Sequence, residues 1–309
     1  MTSIQQSDSV FTSSDNTLIR YVEVWTSGDD GSRLVLESAR TVGNYSAHRD
    51  SDVTSVAIGE GLVGQAWQEK TSVICHDRSR FGLQSCEEPD LACMVVIPVF
   101  RQQEIRGVVI LGLSDGFGAA EIWSRDDRDE LSVTSGHYAG LPSFEFITAY
   151  TRFPKGAGLP GNVWKTGQPI IAQNLDQSSA FIRSFGNDPA VVTSAIGIPV
   201  CSSRGFPASV LLLLEAGDCP LAGRTELWMC CDKEPFDRGS AITHVSTTVG
   251  QQSKLVAQWQ QTLMFQVIES GAPVLAESAN GCLPTGAGCV VAMPVFHNSA
   301  IAGVLALTF

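Results

Sequence analysis

Positive charge is scarce along the whole chain. Its 20 Lys and Arg face 32 Asp and Glu, the formal net charge is −12 at pH 7, and no basic run interrupts it. Affinity for nucleic acid rests on neutralising phosphates with Lys and Arg, so a nucleic-acid partner is not expected, and anionic lipid surfaces are disfavoured for the same reason. Long apolar runs are missing as well. The longest, SVLLLLEA at 209–216, falls well below the roughly 20 residues that span a bilayer, so it reads as a buried strand and no membrane insertion is expected. The opening MTSIQQSDSVFTSSDNT has neither basic residues nor an apolar core, which argues against a secretory signal and makes residues 1–15 a flexible lead.

Metal-type spacing is absent too. The nine cysteines, an odd number, form no CxxC, and the five histidines form no HxxxH. Several cysteines sit in or beside apolar strands, as Cys93, Cys201 and Cys289 do, and Cys230 and Cys231 are adjacent. This usage suits buried free thiols in a reducing compartment: cytoplasm, or an organellar stroma if a transit peptide has been removed. No metal and no cofactor is expected.

What the chain has in quantity is self-similarity. Trp25 in YVEVW, Trp123 in AAEIW and Trp228 in RTELW are separated by 123 − 25 = 98 and 228 − 123 = 105 positions. Pro98 in VVIPV, Pro199 in IGIPV and Pro294 in VAMPV are separated by 199 − 98 = 101 and 294 − 199 = 95. Between these anchors, 61–74, 158–171 and 262–275 fall in register. A repeat of about a hundred residues is a domain rather than a solenoid unit, so three tandem domains are expected over 16–115, 116–217 and 218–309. With 44% hydrophobic residues, each can bury a core.

Read from its start, the first unit has a strand LIRYVEVWT, a turn at 28–31, a strand RLVLESAR and a third strand at 54–58. A short helix LVGQAWQEK follows, then a strand SVICHD, a polar excursion, and the strand pair MVVIPVF and GVVILGLS. In the second and third units FITAYTRF and KLVAQWQ take the place of the third strand. The fold class is therefore α+β: in each unit a mostly antiparallel sheet of about six strands with short helices on one face.

These motifs resemble the GAF superfamily of small sensory and binding domains. The resemblance rests on the hairpin beginning at the Trp, the blocks GEGLVGQAW (59–67) and GAGLPGNVW (156–164), the NLDQSSAFIR stretch, and the IPV and GVVIL strands. It spans nearly the whole chain, with the second unit closest to family form and the third degenerate, its GLxG replaced by TLMF. One departure is physical. The connectors leave no room for the helices that usually cover the second face of the family's sheet. A bare apolar face is rarely tolerated in water, so these faces are expected to pack on one another, on a protein partner, by self-association, or on residues outside this sequence.

The resemblance implies a ligand pocket between sheet and excursion, lined by Cys75, His76, Phe81, Cys86 and Cys93 in the first unit and by Phe181, Ile182 and Phe185 in the second. Thiolate beside imidazole can act as nucleophile or metal ligand. Yet strand neighbours point to opposite faces, so Cys75 and His76 read as a buried thiol with a partly exposed imidazole. The family's bilin-binding members use a Cys-His nearer the fifth strand, and its free methionine sulfoxide reductases carry a cysteine inside the glycine block where this chain has Val63. Neither activity is expected. The glycine blocks match neither a Walker loop nor a dinucleotide fingerprint and read as structural turns. Function is expected to be non-catalytic: a scaffold or assembly subunit acting through protein–protein contacts, or alternatively a regulatory module binding a small molecule in the first or second unit.

Overall fold

The computed structural model describes residues 16–28, 30–43, 48–49, 53–84, 91–178, 181, 183, 188–201, 207–230, 242–247, 258–277, 283, 287–297 and 300–309. The first unit comprises β1 (Ile19–Ser27), β2 (Arg33–Thr41), β3 (His48–Arg49), β4 (Ser55–Ala57), α1 (Gly61–Glu69), β5 (Val73–Cys75), β6 (Leu83–Gln84), β7 (Leu91–Arg101) and β8 (Glu104–Ser114). The second comprises β9 (Gly118–Arg125), β10 (Leu131–Ala139), α2 (Pro142–Tyr150), β11 (Arg152–Phe153), α3 (Gly158–Thr166), β12 (Ile170–Ala172), β13 (Val192–Cys201) and β14 (Pro207–Ala216). The third comprises β15 (Arg224–Cys230), β16 (Ile242–Thr247), α4 (Gln258–Ser270), β17 (Val274–Glu277), β18 (Cys289–His297) and β19 (Ala300–Thr308).

The main sheets run β4-β2-β1-β8-β7-β5, β11-β10-β9-β14-β13-β12 and β16-β15-β19-β18-β17, and β3 pairs with β6 in a separate ribbon. The strand pairs are antiparallel, in the α+β arrangement expected. Two local expectations need correction. FITAYTRF is the second half of α2 followed by β11, not a strand; Pro142 starts the helix at its first turn, and Phe144 and Thr148, four apart, bury one face. Residues 258–260 of KLVAQWQ begin α4, and its remainder lies outside the described residues. In both places the short apolar window fits either period, and packing of one face on the sheet selects the helix.

The glycine blocks are turns, as expected. Gly61 and Gly158 start α1 and α3 with φ of 60° and 59°, where a side chain would be strained. A Cβ on Gly64 would stand 2.2 Å from the Ala57 carbonyl oxygen, and one on Gly161 2.4 Å from that of Pro154, so only glycine lets each helix lie against the preceding chain.

The sheet faces without helices cover one another. Val22, Val95, Ile97, Val109 and Leu111 of the first sheet, Ile122, Ile196, Ile198, Leu211 and Leu213 of the second, and Val291, Met293, Leu305 and Leu307 of the third form one continuous buried cluster. Helix-side cores stay private to each unit. Burial of a Val, Leu or Ile side chain is worth roughly 1.5–3 kcal/mol, so this shared layer alone gives the chain strong reason to remain one body.

The two IPV motifs and the matching MPV of the third unit meet at its centre. Residues of all three surround a void of about 20 Å³, at which Pro98, Pro199 and Pro294 come together. Proline is tolerated there because the short edge strands β5, β12 and β17 pair only with residues preceding it, so no ladder hydrogen bond is lost on that side. The seams repeat in rotation: Thr71 after α1 meets Ser209 of the second unit at 2.9 Å, Gly167 after α3 abuts His297 of the third, and Ser270 at the end of α4 accepts from Arg106 of the first at 2.7 Å.

Candidate functional site

A carboxylate stands two residues before each repeat-marking tryptophan: Glu23, Glu121 and Glu226, all buried inside the units. A buried charge survives only when paired and hydrogen-bonded. In the first unit Arg49 meets Glu23 through two nitrogens at 2.6 and 2.8 Å, while Tyr21 and Trp25 donate to the same carboxylate at 2.6 and 2.7 Å. Burial and the neighbouring Glu23 charge push the Tyr21 phenol well above its ordinary range, so it stays a donor. In the second unit Arg183 contacts Glu121 at 2.6 Å and Thr148 at 3.0 Å, and Trp123 donates to Glu121 at 2.8 Å. In the third, Gln260 donates to Glu226 at 3.0 and 3.1 Å, and Arg224 lies 2.7 Å away.

The second unit differs in being open beside this network. A hollow of about 460 Å³ lies between α3, β12 and the excursion, lined among others by Phe153, Leu159, Ile170, Ala172, Phe181 and Arg183. That volume lies within the roughly 300–1,000 Å³ of small-molecule sites, and its walls are mainly apolar. The Arg183 guanidinium sits 4.5 Å from the Phe144 ring centre, 5.3 Å from Trp123, and 5.7 Å from both Phe153 and Phe181. This aromatic surround lowers the cost of burying the cation. Among the described residues, Arg183 Nε has no hydrogen-bond partner. A larger concavity, about 800 Å³, runs between the first and third units past Gly28, Trp67, Arg106 and Pro273, but it is a shallow groove with much polar surface.

The residues expected to line a first-unit pocket divide between the two faces of the sheet. Cys75 and Phe81 are buried in the helix-side core with Leu62, Val63 and Trp25, whereas Cys93 belongs to the shared inter-sheet core and His76 is exposed. The cause is the alternation of β7, in which Cys93, Val95 and Ile97 face the shared core while Met94 and Val96 face the helix side; the bulge between Leu91 and Cys93 only returns Leu91 to the helix side. Burial pushes the Cys93 thiol far above its ordinary range, and that of Cys289 up to about 12. Of the second-unit residues, Phe181 lines the hollow. Cys86, Ile182 and Phe185 lie outside the described residues.

Glu121, Arg183 and His137 were not singled out from the sequence. The carboxylates carried a usable signal, because an ionisable residue recurs at one offset in three otherwise apolar strands. Arg183 stands beside residues assigned to the pocket. His137 had no sequence partner at all, since it meets His76 across two units with ring centres 5.4 Å apart.

A family model for the GAF domain matches residues 16–139, which spans the first unit and the hairpin opening the second. Among solved structures, the chain is similar to the fRMsr of Staphylococcus aureus in its reduced form, with 23% identity and a TM-score of 0.24 over 36% of this chain and 62% of that one. It is similar to the GAF domain from an Acinetobacter phosphoenolpyruvate-protein phosphotransferase, with 20% identity and a TM-score of 0.23 over 31% and 57%. A third is the free methionine-R-sulfoxide reductase from Neisseria meningitidis in complex with its substrate, with 21% identity and a TM-score of 0.23 over 31% and 52%. The chain thus covers less than two thirds of the length of each. Comparison with curated proteins gave no match. Among the described residues, no helix is long and apolar enough to cross a membrane.

Proposed function

We propose that the chain is a non-catalytic regulatory module whose second unit binds a small molecule: a mainly apolar body carrying one hydrogen-bond acceptor, a carboxylate or a carbonyl. The observation that carries this reading is the apolar hollow of about 460 Å³ bordered by a buried arginine whose Nε has no partner among the described residues. An acceptor reaching that nitrogen gains a charge-assisted hydrogen bond, and the apolar body gains the burial. High thiol pKa values at Cys93 and Cys289 leave little nucleophilic thiolate, which supports a role without thiol chemistry.

Thermal unfolding with a panel of aromatic and aliphatic carboxylates, together with native mass spectrometry of the chain as isolated, tests the proposal. A ligand present at 100 times its Kd adds about 2.7 kcal/mol of stability, which a melt resolves readily. Ala172→Phe, which fills the hollow, should abolish that shift while preserving the circular dichroism spectrum. Binding that persists undiminished in this variant, or an apo mass together with no stabilisation by any panel member, overturns the reading.

The scaffold reading is favoured by a different observation. Its original ground, three uncovered sheet faces, is met within the chain by the shared core. On α2, however, Phe146 and Tyr150 are 66% and 75% exposed, and their rings meet at a tilt of 58° with centres 5.1 Å apart. Paired exposed aromatics are common anchors of protein interfaces. A partner that co-purifies with the wild type and is lost with Phe146→Ser and Tyr150→Ser supports this second reading, and a partner retained by both variants speaks against it.

A further inference from the structure

The seam between the first and second units brings together His76, Cys93 and His137, whose ligating atoms all lie within 4.8 Å of one another. Three placements produce the cluster. Cys75 pairs with Met94 across β5 and β7, so His76, the next residue along, stands opposite Cys93. Alternation along β7 puts Cys93 on the inter-sheet face with Val95 and Ile97. His137 reaches the same point from β10 of the second unit, where it pairs with Ala120.

His137 is prepared as a ligand. It is 9% exposed; one ring nitrogen hydrogen-bonds the backbone of Ser114, and the other, Nε2, has no hydrogen-bond partner among the described residues. A carbonyl that holds one imidazole nitrogen fixes the tautomer and leaves the second lone pair free, the usual outer-shell arrangement of metal-bound histidine. An unpartnered buried nitrogen is otherwise costly and calls for an explanation.

The pseudo-equivalent seam between the third and first units sharpens the point. Cys289 matches Cys93, each five residues before the central proline, and it pairs with Glu277. Arg40 pairs with Val22, three residues before Trp25, as His137 pairs with Ala120, three before Trp123. There the position is closed by an ion pair between Arg40 and Glu277, to which Ser38 adds a hydrogen bond at 3.0 Å. At the first seam the same two positions hold two imidazoles, which carry no opposite charges and leave nitrogens to be satisfied.

We infer that His76, Cys93 and His137 bind a thiophilic transition-metal ion, with zinc as the reference ion, and so pin the first two units together. Two imidazoles and a thiolate suit zinc or copper, and three protein ligands leave a fourth position for water. Zinc–ligand bonds of about 2.0–2.3 Å place tetrahedral ligand atoms roughly 3.5 Å apart, so the cluster contracts by about 1 Å on binding. His76 supplies the movement, because it is the exposed member and stands at the entry. Binding replaces the Cys93 S–H bond by a sulfur–metal bond and releases the proton to water. Asp115, near enough to act on both Cys93 and His137, adds negative charge beside the cation.

The test uses the full chain, reduced and stripped with chelator, titrated with Co²⁺ and then with Zn²⁺. One equivalent of Co²⁺ should bring up a thiolate-to-metal charge-transfer band, and Zn²⁺ should remove it. Cys93→Ser should abolish the band. His76→Ala, at an exposed position with little to lose in folding, should weaken binding by more than the roughly 10–100-fold that loss of an outer-shell partner causes. Absence of the band with Co²⁺ in excess, or a band unchanged in His76→Ala, overturns the inference even if Cys93→Ser fails to fold.

Discussion

Replacing Leu111 by Ala should destabilise all three units together. Leu111 is fully buried in the shared inter-sheet core, paired with Val22 on one side and Val95 on the other. The lost transfer energy and the cavity left behind cost about 2.7–5 kcal/mol at such a site. For urea unfolding, a slope near the upper end of the usual 1–3 kcal/mol/M converts that loss into a midpoint lowered by about 1 M or more. Hydrogen exchange followed by mass spectrometry locates the effect. If the three sheets share one core, protection in β9 and β14 and in β18 and β19 falls along with protection in β7 and β8. Loss confined to peptides of the first unit, or a biphasic urea curve in which only one phase moves, would refute the idea of a common cooperative layer.

Other expectations follow from particular contacts. Arg183→Met should cost about 3–5 kcal/mol because it strands the buried Glu121 carboxylate, and Glu121→Leu combined with it should recover much of the loss in a denaturation series. Burial raises the Glu215 carboxyl above its ordinary value of 4.5, against hydrogen bonds from Ser194 and the Leu221 amide. A raised acid favours its proton in the folded state, so the stability it contributes is fully present below that value and is lost as pH rises through the folded one. Wild type should therefore lose ground to Glu215→Gln as pH rises from about 4.5, and a gap that does not change with pH contradicts this. Native Cys93 and Cys289 should resist alkylation at mildly alkaline pH and react at once in urea, because their thiols are buried and pushed up. Residues 16–115 expressed alone should self-associate through the apolar face they uncover, as sedimentation would reveal.

Much of the architecture was legible in advance because it rests on local rules. The tryptophans, the glycine blocks and the IPV prolines recur at positions where backbone geometry or close packing restricts the residue, and that is why their spacing marks the units. The elements misread, α2 and the start of α4, carry apolar residues that fit either period over a short window, so only packing on the sheet selects helix. The second-unit hollow was half legible: Phe181 was named, but Arg183 draws its meaning from Glu121, 62 residues away. The residues expected around the first-unit pocket divide between two sheet faces: Cys93 alternates with Met94 along β7 and so joins the shared core, and which face borders a cavity is a matter of packing that alternation does not disclose.

By itself the sequence determined a threefold α+β plan with antiparallel sheets, because alternation, turn glycines and the hundred-residue spacing are properties of chain segments taken one at a time. Only the tertiary structure decided what covers the bare faces and which polar groups meet. Those are relations between residues far apart in the chain, as His137 is from His76 or Glu277 from Arg40. They are settled when three apolar surfaces with nowhere else to go bury one another.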